Sequence, residues 1–182
     1  MVDLLNKPTS PYDLFNIAEK SCNVFTYPEI TKFKKYKDLF KKGNSEYPLQ
    51  VPYPFDDRFC IILYLTGDRC GHWTCVSYNK SGINFLDSYG DVVDDQLKHV
   101  DMNIIGQHKK HLINILAASG LPIRYNDMRL QKLSNNIATC GRYCALYLKY
   151  NYMTVEDFVN VLRKKSIEYK MTPDELVCKL TA

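Results

Sequence analysis

Thr139-Cys140-Gly141-Arg142-Tyr143-Cys144-Ala145-Leu146-Tyr147-Leu148 decides how this chain is read. Cys144 and Leu148 recur one turn apart, and Ala145, Leu146 and Tyr147 fill out an apolar surface. A helix is therefore predicted to begin at or next to Cys140. The first turn of a helix has unpaired backbone N–H groups and the positive end of the helix dipole. A thiol placed there ionises more readily, and the thiolate is the nucleophile. Gly141 lets a substrate approach the backbone closely. For an arbitrary pair of cysteines four apart, two small buried hydrophobes on a core helix is the commoner case. The residues upstream shift that balance.

His72 starts a run that alternates like a strand, with Thr74, Val76 and Tyr78 on its side and Trp73, Cys75 and Ser77 on the other. Asn79-Lys80-Ser81-Gly82 is a turn, and Ile83 to Leu86 is a second strand that ends at Asp87. A tight hairpin makes His72 and Asp87 cross-strand neighbours, so that the carboxylate can hold the imidazole. An acid, a base and a thiol at a helix start form the layout of an activated nucleophile.

With these residues in place, the sequence resembles the adenovirus-type cysteine proteases (adenain) and the related ubiquitin-like-protein proteases. The shared pattern is His-Trp on one strand, an acid on the next, a Gln, and Cys-Gly at a helix start. Here those are His72-Trp73, Asp87, Gln131 and Cys140-Gly141. The details Asp87-Ser88-Tyr89-Gly90 and Cys140-Gly141-Arg142-Tyr143-Cys144 look most like the capsid-maturation proteases of virophages (mavirus-type) and Maverick/Polinton-type elements. The motif region covers about residues 58 to 152. One departure stands out. The family's Gln usually lies six or seven positions before its Cys, where this chain has Leu133 and Ser134; Gln131 lies nine before. The loop from Lys132 to Thr139 is longer to match, and Asn135 or Asn136 could supply the amide instead.

The resemblance implies peptide-bond hydrolysis, with Cys140 as nucleophile, His72 as base, Asp87 as orienting acid and Gln131 with the Cys140 N–H as oxyanion donors. Trp73 would wall a narrow cleft for Gly-rich substrate, and Gly141 would border it. The implied substrates are capsid or core precursors, in the virion and the host-cell cytoplasm (the virus factory). No cofactor is required by this chemistry, although the resemblance suggests DNA or a peptide as activator. Two alternatives stay open: the same chemistry on a ubiquitin-like modifier, and a catalytically idle DNA-binding virion protein.

The 182 residues suit one domain with a sizeable core, and 46% hydrophobic with 24% charged residues is ordinary globular composition. No apolar run is long enough to span a membrane, and no secretory h-region follows Met1, so no membrane role and no secretion are expected. The seven cysteines are odd in number and irregularly spaced, which argues against a disulfide framework. Cys70-x-His72 and Cys140-x-x-x-Cys144 match no common zinc ligand pair, and no metal is expected. Net charge is +4, with a cluster at Lys32, Lys34, Lys35, Lys37, Lys41 and Lys42 and a second group at Lys98, Lys109 and Lys110. The first is a candidate DNA surface, although such runs are more often solvated helix faces. A monomer is expected.

The remaining elements give an α+β fold: a central, mainly antiparallel sheet with the Cys140 helix packed on it and helices at both ends. Ser10 caps a helix that starts at Pro11, with Leu14, Ile17 and Ala18 buried. Glu29 to Phe40 is a predicted helix closed by Gly43. Tyr47 to Asp57, with Pro48, Pro52 and Pro54, is extended or irregular and could rim the site. Phe59 to Leu65 is a strand buried on both faces, and Gly67-Asp68-Arg69 turns it into the His72 strand. A short helix follows Asp94. Gln107 to Ser119 is a helix with His108, Leu112, Ile115 and Leu116 inward and His111 outward; neither histidine has an acid at partner spacing, so His72 is the preferred base. Leu121 to Tyr125 is a strand. Thr154 caps a helix burying Phe158, Val161 and Leu162, and Thr172 with Glu175 makes a capping box for a last helix burying Leu176, Val177 and Leu180.

Overall fold

The computed structural model describes residues 2–47, 51–68 and 70–182. Pro48 and Arg69, which the sequence reading places in the proline-rich stretch and in the turn, lie outside the described residues. Among the described residues, seven α-helices surround a five-stranded sheet of order β1-β2-β3-β4-β5. The strands are β1 (Ser21–Thr26), β2 (Phe55–Gly67), β3 (Cys70–Asn79), β4 (Gly82–Asp87) and β5 (Ile123–Tyr125). The helices are α1 (Val2–Asn6), α2 (Pro11–Ala18), α3 (Tyr27–Ile30), α4 (Leu112–Ala117), α5 (Cys140–Lys149), α6 (Val155–Tyr169) and α7 (Pro173–Leu180). The fold is α+β, with one correction: the sheet is mixed. β2, β3 and β4 are antiparallel, while β1 and β5 join the two edges in parallel.

The sheet divides the core in two. On one face, Val24, Ile61, Leu63, Trp73, Cys75 and Leu86 pack against α2, α5, α6 and α7. On the other, Phe25, Ile62, Tyr64, Val76, Ile83 and Phe85 pack against α3, α4 and the segment after α3. Residues 59 to 64 are buried on both sides, as a near-continuous apolar strand should be. Cys140 opens α5, so the predicted nucleophile helix begins where its periodicity places it.

The predicted helix from Glu29 to Phe40 does not form. Thr26 and Glu29 cap a single turn, α3, and the Thr31 hydroxyl donates back to the Pro28 carbonyl at 2.7 Å. Asp38 then accepts the N–H groups of Lys34 and Lys35, at 3.3 and 3.1 Å, and diverts them from a helical ladder. A 3-10 turn at Tyr36–Leu39 follows, and Phe33, Leu39 and Phe40 are buried without a continuous helix. The helix predicted from Gln107 shortens to α4. Gln107 is buried, its amide bonded to Leu65 N and O, while His108 is exposed rather than inward. His111 is half-buried, with Nε2 at 2.9 Å from the Phe33 carbonyl, rather than facing solvent. Phe15, Val159 and Cys178 take buried places expected of Ile17, Val161 and Leu180.

Candidate active site

The site gathers where the sheet ends meet the start of α5. Thr139 stands just before the helix, and its hydroxyl donates to Asp174 Oδ1 at 2.5 Å. Cys140 is buried, 8% exposed. Burial alone would push its thiol up. The hydrogen bond and charge of His72, with the backbone N–H groups of Trp73 and Gly141, outweigh burial and hold the thiol below its ordinary value.

His72 stands near the start of β3 and is itself buried. Its Nε2 meets Asp87 Oδ1 at 2.8 Å, which leaves Nδ1 for the Cys140 thiol. The strand register corrects one detail. The two-residue turn pairs Asn79 with Gly82, and counting back sets Thr74, not His72, opposite Asp87. Thr74 and His72 share a side of the strand, so Asp87 reaches His72 along the diagonal, as long side chains on one sheet face can. Burial disfavours the imidazolium. The Asp87 hydrogen bond, the Cys140 interaction and both charges reverse that and push the His72 pKa up to about 10. Depressed thiol and raised imidazole together favour a thiolate–imidazolium pair.

Asp87 is fully buried and held on several sides. Tyr89 N–H donates to the same Oδ1 at 2.8 Å, and Gln96 Nε2 donates to Oδ2 at 2.9 Å. Asn126 accepts from the Asp87 N–H at 3.0 Å and donates to its carbonyl. A carboxylate so placed keeps the imidazole in one tautomer and orientation. Gln96 and Asn126 carry no motif, and only the folded chain reveals them.

The turn after β4 brings in Tyr89, whose ring stacks on His72 at 4.4 Å between centroids and 15° between planes. Gly90 follows with φ of +81°, and a Cβ there would meet Met128 C at 2.8 Å. The 128–131 segment can therefore lie against the turn, with Leu130 and Gln131 N–H both donating to Ser88 O at 2.8 Å. Gln131 is buried. Its Oε1 accepts from Ser88 Oγ at 2.7 Å, and its Nε2 donates to Ile137 O at 3.1 Å and to Tyr89 Oη at 3.3 Å. Asn135 and Asn136 are exposed and do not line the cavity.

Cys140, His72, Trp73, Tyr89 and Gln131 line one cavity of about 1110 Å³. Trp73 is buried, and its Nε1 donates to the Thr9 carbonyl at 3.1 Å. Pro8, Thr9, Ser10 and Pro11 form part of the wall, and Leu5 O accepts from Ala138 N–H at 2.7 Å, two residues before the thiol. Gly141 lies beneath this N-terminal strap and does not line the cavity. A Cβ there would stand 1.8 Å from Thr9 Oγ1 and 3.0 Å from Trp73 Cδ1. The chain brought close to the Gly141 backbone is thus the protein's own strap.

Elsewhere, Lys32, Lys34, Lys35, Lys37, Lys41 and Lys42 are all exposed. Among the described residues no group of three His, Cys, Asp or Glu side chains is placed to hold a metal, and no helix is long and apolar enough to cross a membrane.

No family model matches the chain. It is similar to an uncharacterised protein, V9, of Sputnik virophage, with 28% identity over 176 residues that cover 94% of this chain and 93% of that protein. The sequence therefore carries a virophage relationship along nearly its whole length.

Proposed function

We propose that this protein is a virophage cysteine endopeptidase that cleaves capsid or core precursors during virion maturation, after small, Gly-rich sites. The observation that carries the reading is the buried array in which Asp87 holds His72 at 2.8 Å, and His72 and the Cys140 thiol, at the first residue of α5, line one cavity. Charged or ionisable groups are buried together only when they compensate one another, and such clusters in a cleft mark functional sites.

The Cys140 thiolate attacks the scissile carbonyl, and the carbonyl electrons move onto oxygen. Backbone N–H at the helix start and a donor from the Gln131 region receive that charge. The His72 imidazolium gives its proton to the leaving amine as the C–N bond breaks, which leaves a thioester. His72 then deprotonates a water that attacks the thioester; the C–S bond breaks, the acid product leaves, and the thiolate–imidazolium pair is restored. Trp73 and the strap at Pro8 and Thr9 narrow the cavity beside the nucleophile, which favours substrates with little bulk there.

Cleavage of a capsid precursor co-expressed with the wild type, but not with Cys140→Ala, tests the reading. A ubiquitin-like precursor assayed in parallel separates the cellular type of substrate. If the wild type cleaves neither, the endopeptidase reading fails. The exposed lysine cluster supports DNA as an accessory partner, and adding DNA at low and moderate salt tests for activation that salt removes.

A further inference from the structure

We propose that Tyr89 is a further catalytic residue of this site: its hydroxyl, fixed by the Gln131 amide, donates the side-chain hydrogen bond to the oxyanion. The inference rests on the endopeptidase reading and reassigns one role within it. The motif hands that role to Gln131, but the hydrogen bonds do not leave Gln131 free to fill it.

The orientation of the Gln131 amide is fixed. Ile137 O can only accept, so the group 3.1 Å from it must be the nitrogen, and Oε1 is then left to accept from Ser88 Oγ at 2.7 Å. The amide nitrogen has two hydrogens. One goes to Ile137 O and the other to Tyr89 Oη at 3.3 Å. Both Gln131 donors are engaged.

Tyr89 accepts that bond on its oxygen and keeps its own O–H proton. Its ring is clamped by stacking on His72, and the residue lines the same cavity as Cys140. It is near enough to the nucleophile for a charge on Cys140, after burial, to raise its own pKa. The phenol therefore stays protonated where the thiolate works. An O–H that accepts from an amide N–H is also a better donor, because chained hydrogen bonds polarise one another.

Tyr89→Phe tests this, with cleavage of the capsid precursor followed beside iodoacetamide alkylation of Cys140. The ring and its stacking remain; only the hydroxyl goes. Alkylation needs the thiolate but forms no oxyanion. The expected result is kcat lower by about 10²-fold, the usual scale for losing one oxyanion donor, with KM within about twofold and the alkylation rate unchanged. Unchanged or higher kcat overturns the proposal alone, because the Gln131 N–H released by the substitution would then be the donor. A parallel fall in alkylation also overturns it, since Tyr89 would then act only through His72. A wild type that cleaves no substrate removes the endopeptidase reading and this role with it.

Discussion

Two buried aspartates, Asp87 and Asp94, are 0% and 1% exposed and serve opposite ends. Asp94 accepts from Tyr64 Oη at 3.0 Å and from Ile113 N–H at 2.9 Å, beside a Tyr27 ring stacked on Tyr64. Its partners are neutral groups that do not titrate near neutrality, and they pin α4 against the sheet. Burial raises its pKa, only partly offset by those hydrogen bonds. Asp87 has comparable burial, but its first partner is an imidazole, and that imidazole faces a thiol on a cavity wall. A buried carboxylate bound by neutral donors is structural. On the proposed function, the same group bound to an ionisable partner at a cavity holds a proton-transfer pair in register.

The largest effect should fall on Asp87. Asp87→Asn removes the charge and the charged acceptor that raise His72, and turnover should fall by at least about 10²-fold; the equivalent change in a serine triad costs about four decades. The sign on pH follows. The thiolate–imidazolium pair persists up to the raised His72 pKa of about 10. Without Asp87, His72 loses its proton at lower pH, and with it the acid that protonates the leaving amine, so the alkaline limb of turnover should move down. An unmoved limb would mean that Asp87 does not govern the imidazole.

Asp174 is the intermediate case. From the first turn of α7 it accepts from Lys132 N–H at 2.9 Å, Thr139 Oγ1 at 2.5 Å and Tyr143 Oη at 3.2 Å. It thus ties both ends of the loop between Gln131 and Cys140. Asp174→Asn should lower kcat by about tenfold, the scale of about 1.4 kcal/mol in a barrier, while Cys140 alkylation keeps its rate. Equal losses in both assays would make its role general stability.

Asp94→Asn keeps the shape of the side chain, and turnover should stay within about twofold of wild type, a change under about 0.5 kcal/mol. Its effect belongs to stability. Between the unfolded aspartate value and the raised folded one, the folded state holds a proton that the unfolded state has released. Wild-type stability therefore falls as pH rises through that window. The Asn variant lacks this loss, so the difference in melting temperature should shrink or reverse from acid to neutral pH. A constant difference would exclude Asp94 as its source. The smallest effect is expected at Cys144, buried one turn beyond Cys140. Cys144→Ala should leave turnover unchanged and lower stability by about 1 kcal/mol.

The sequence made His72, Asp87 and Cys140 legible because each sits on a local pattern: an alternating run, a tight turn, a helix start. Even so, the turn register shifted the direct cross-strand partner of Asp87 to Thr74. What stayed hidden depends on distant segments. Gln96, Asn126 and Asp174 enter the site through contacts with no fixed spacing. β1 was invisible because Ser21 and Asn23 dilute its apolar pattern; Asn23 is nonetheless buried, donating to the Leu39 and Lys41 carbonyls at 2.9 Å each. The Glu29–Phe40 stretch had helical spacing, yet Asp38 competed for its backbone. Periodicity reports which side chains are buried more faithfully than which hydrogen bonds bury them.

Alkylation of Cys140 by iodoacetamide across pH 5 to 10, mapped by mass spectrometry in wild type and His72→Ala, tests the central claim most directly. A nucleophile paired with His72 should react at a rate that persists well below about pH 8.5, the ordinary thiol range, and His72→Ala should lose that low-pH reactivity. A Cys140 as slow as Cys144, or one that reacts identically with and without His72, would contradict it.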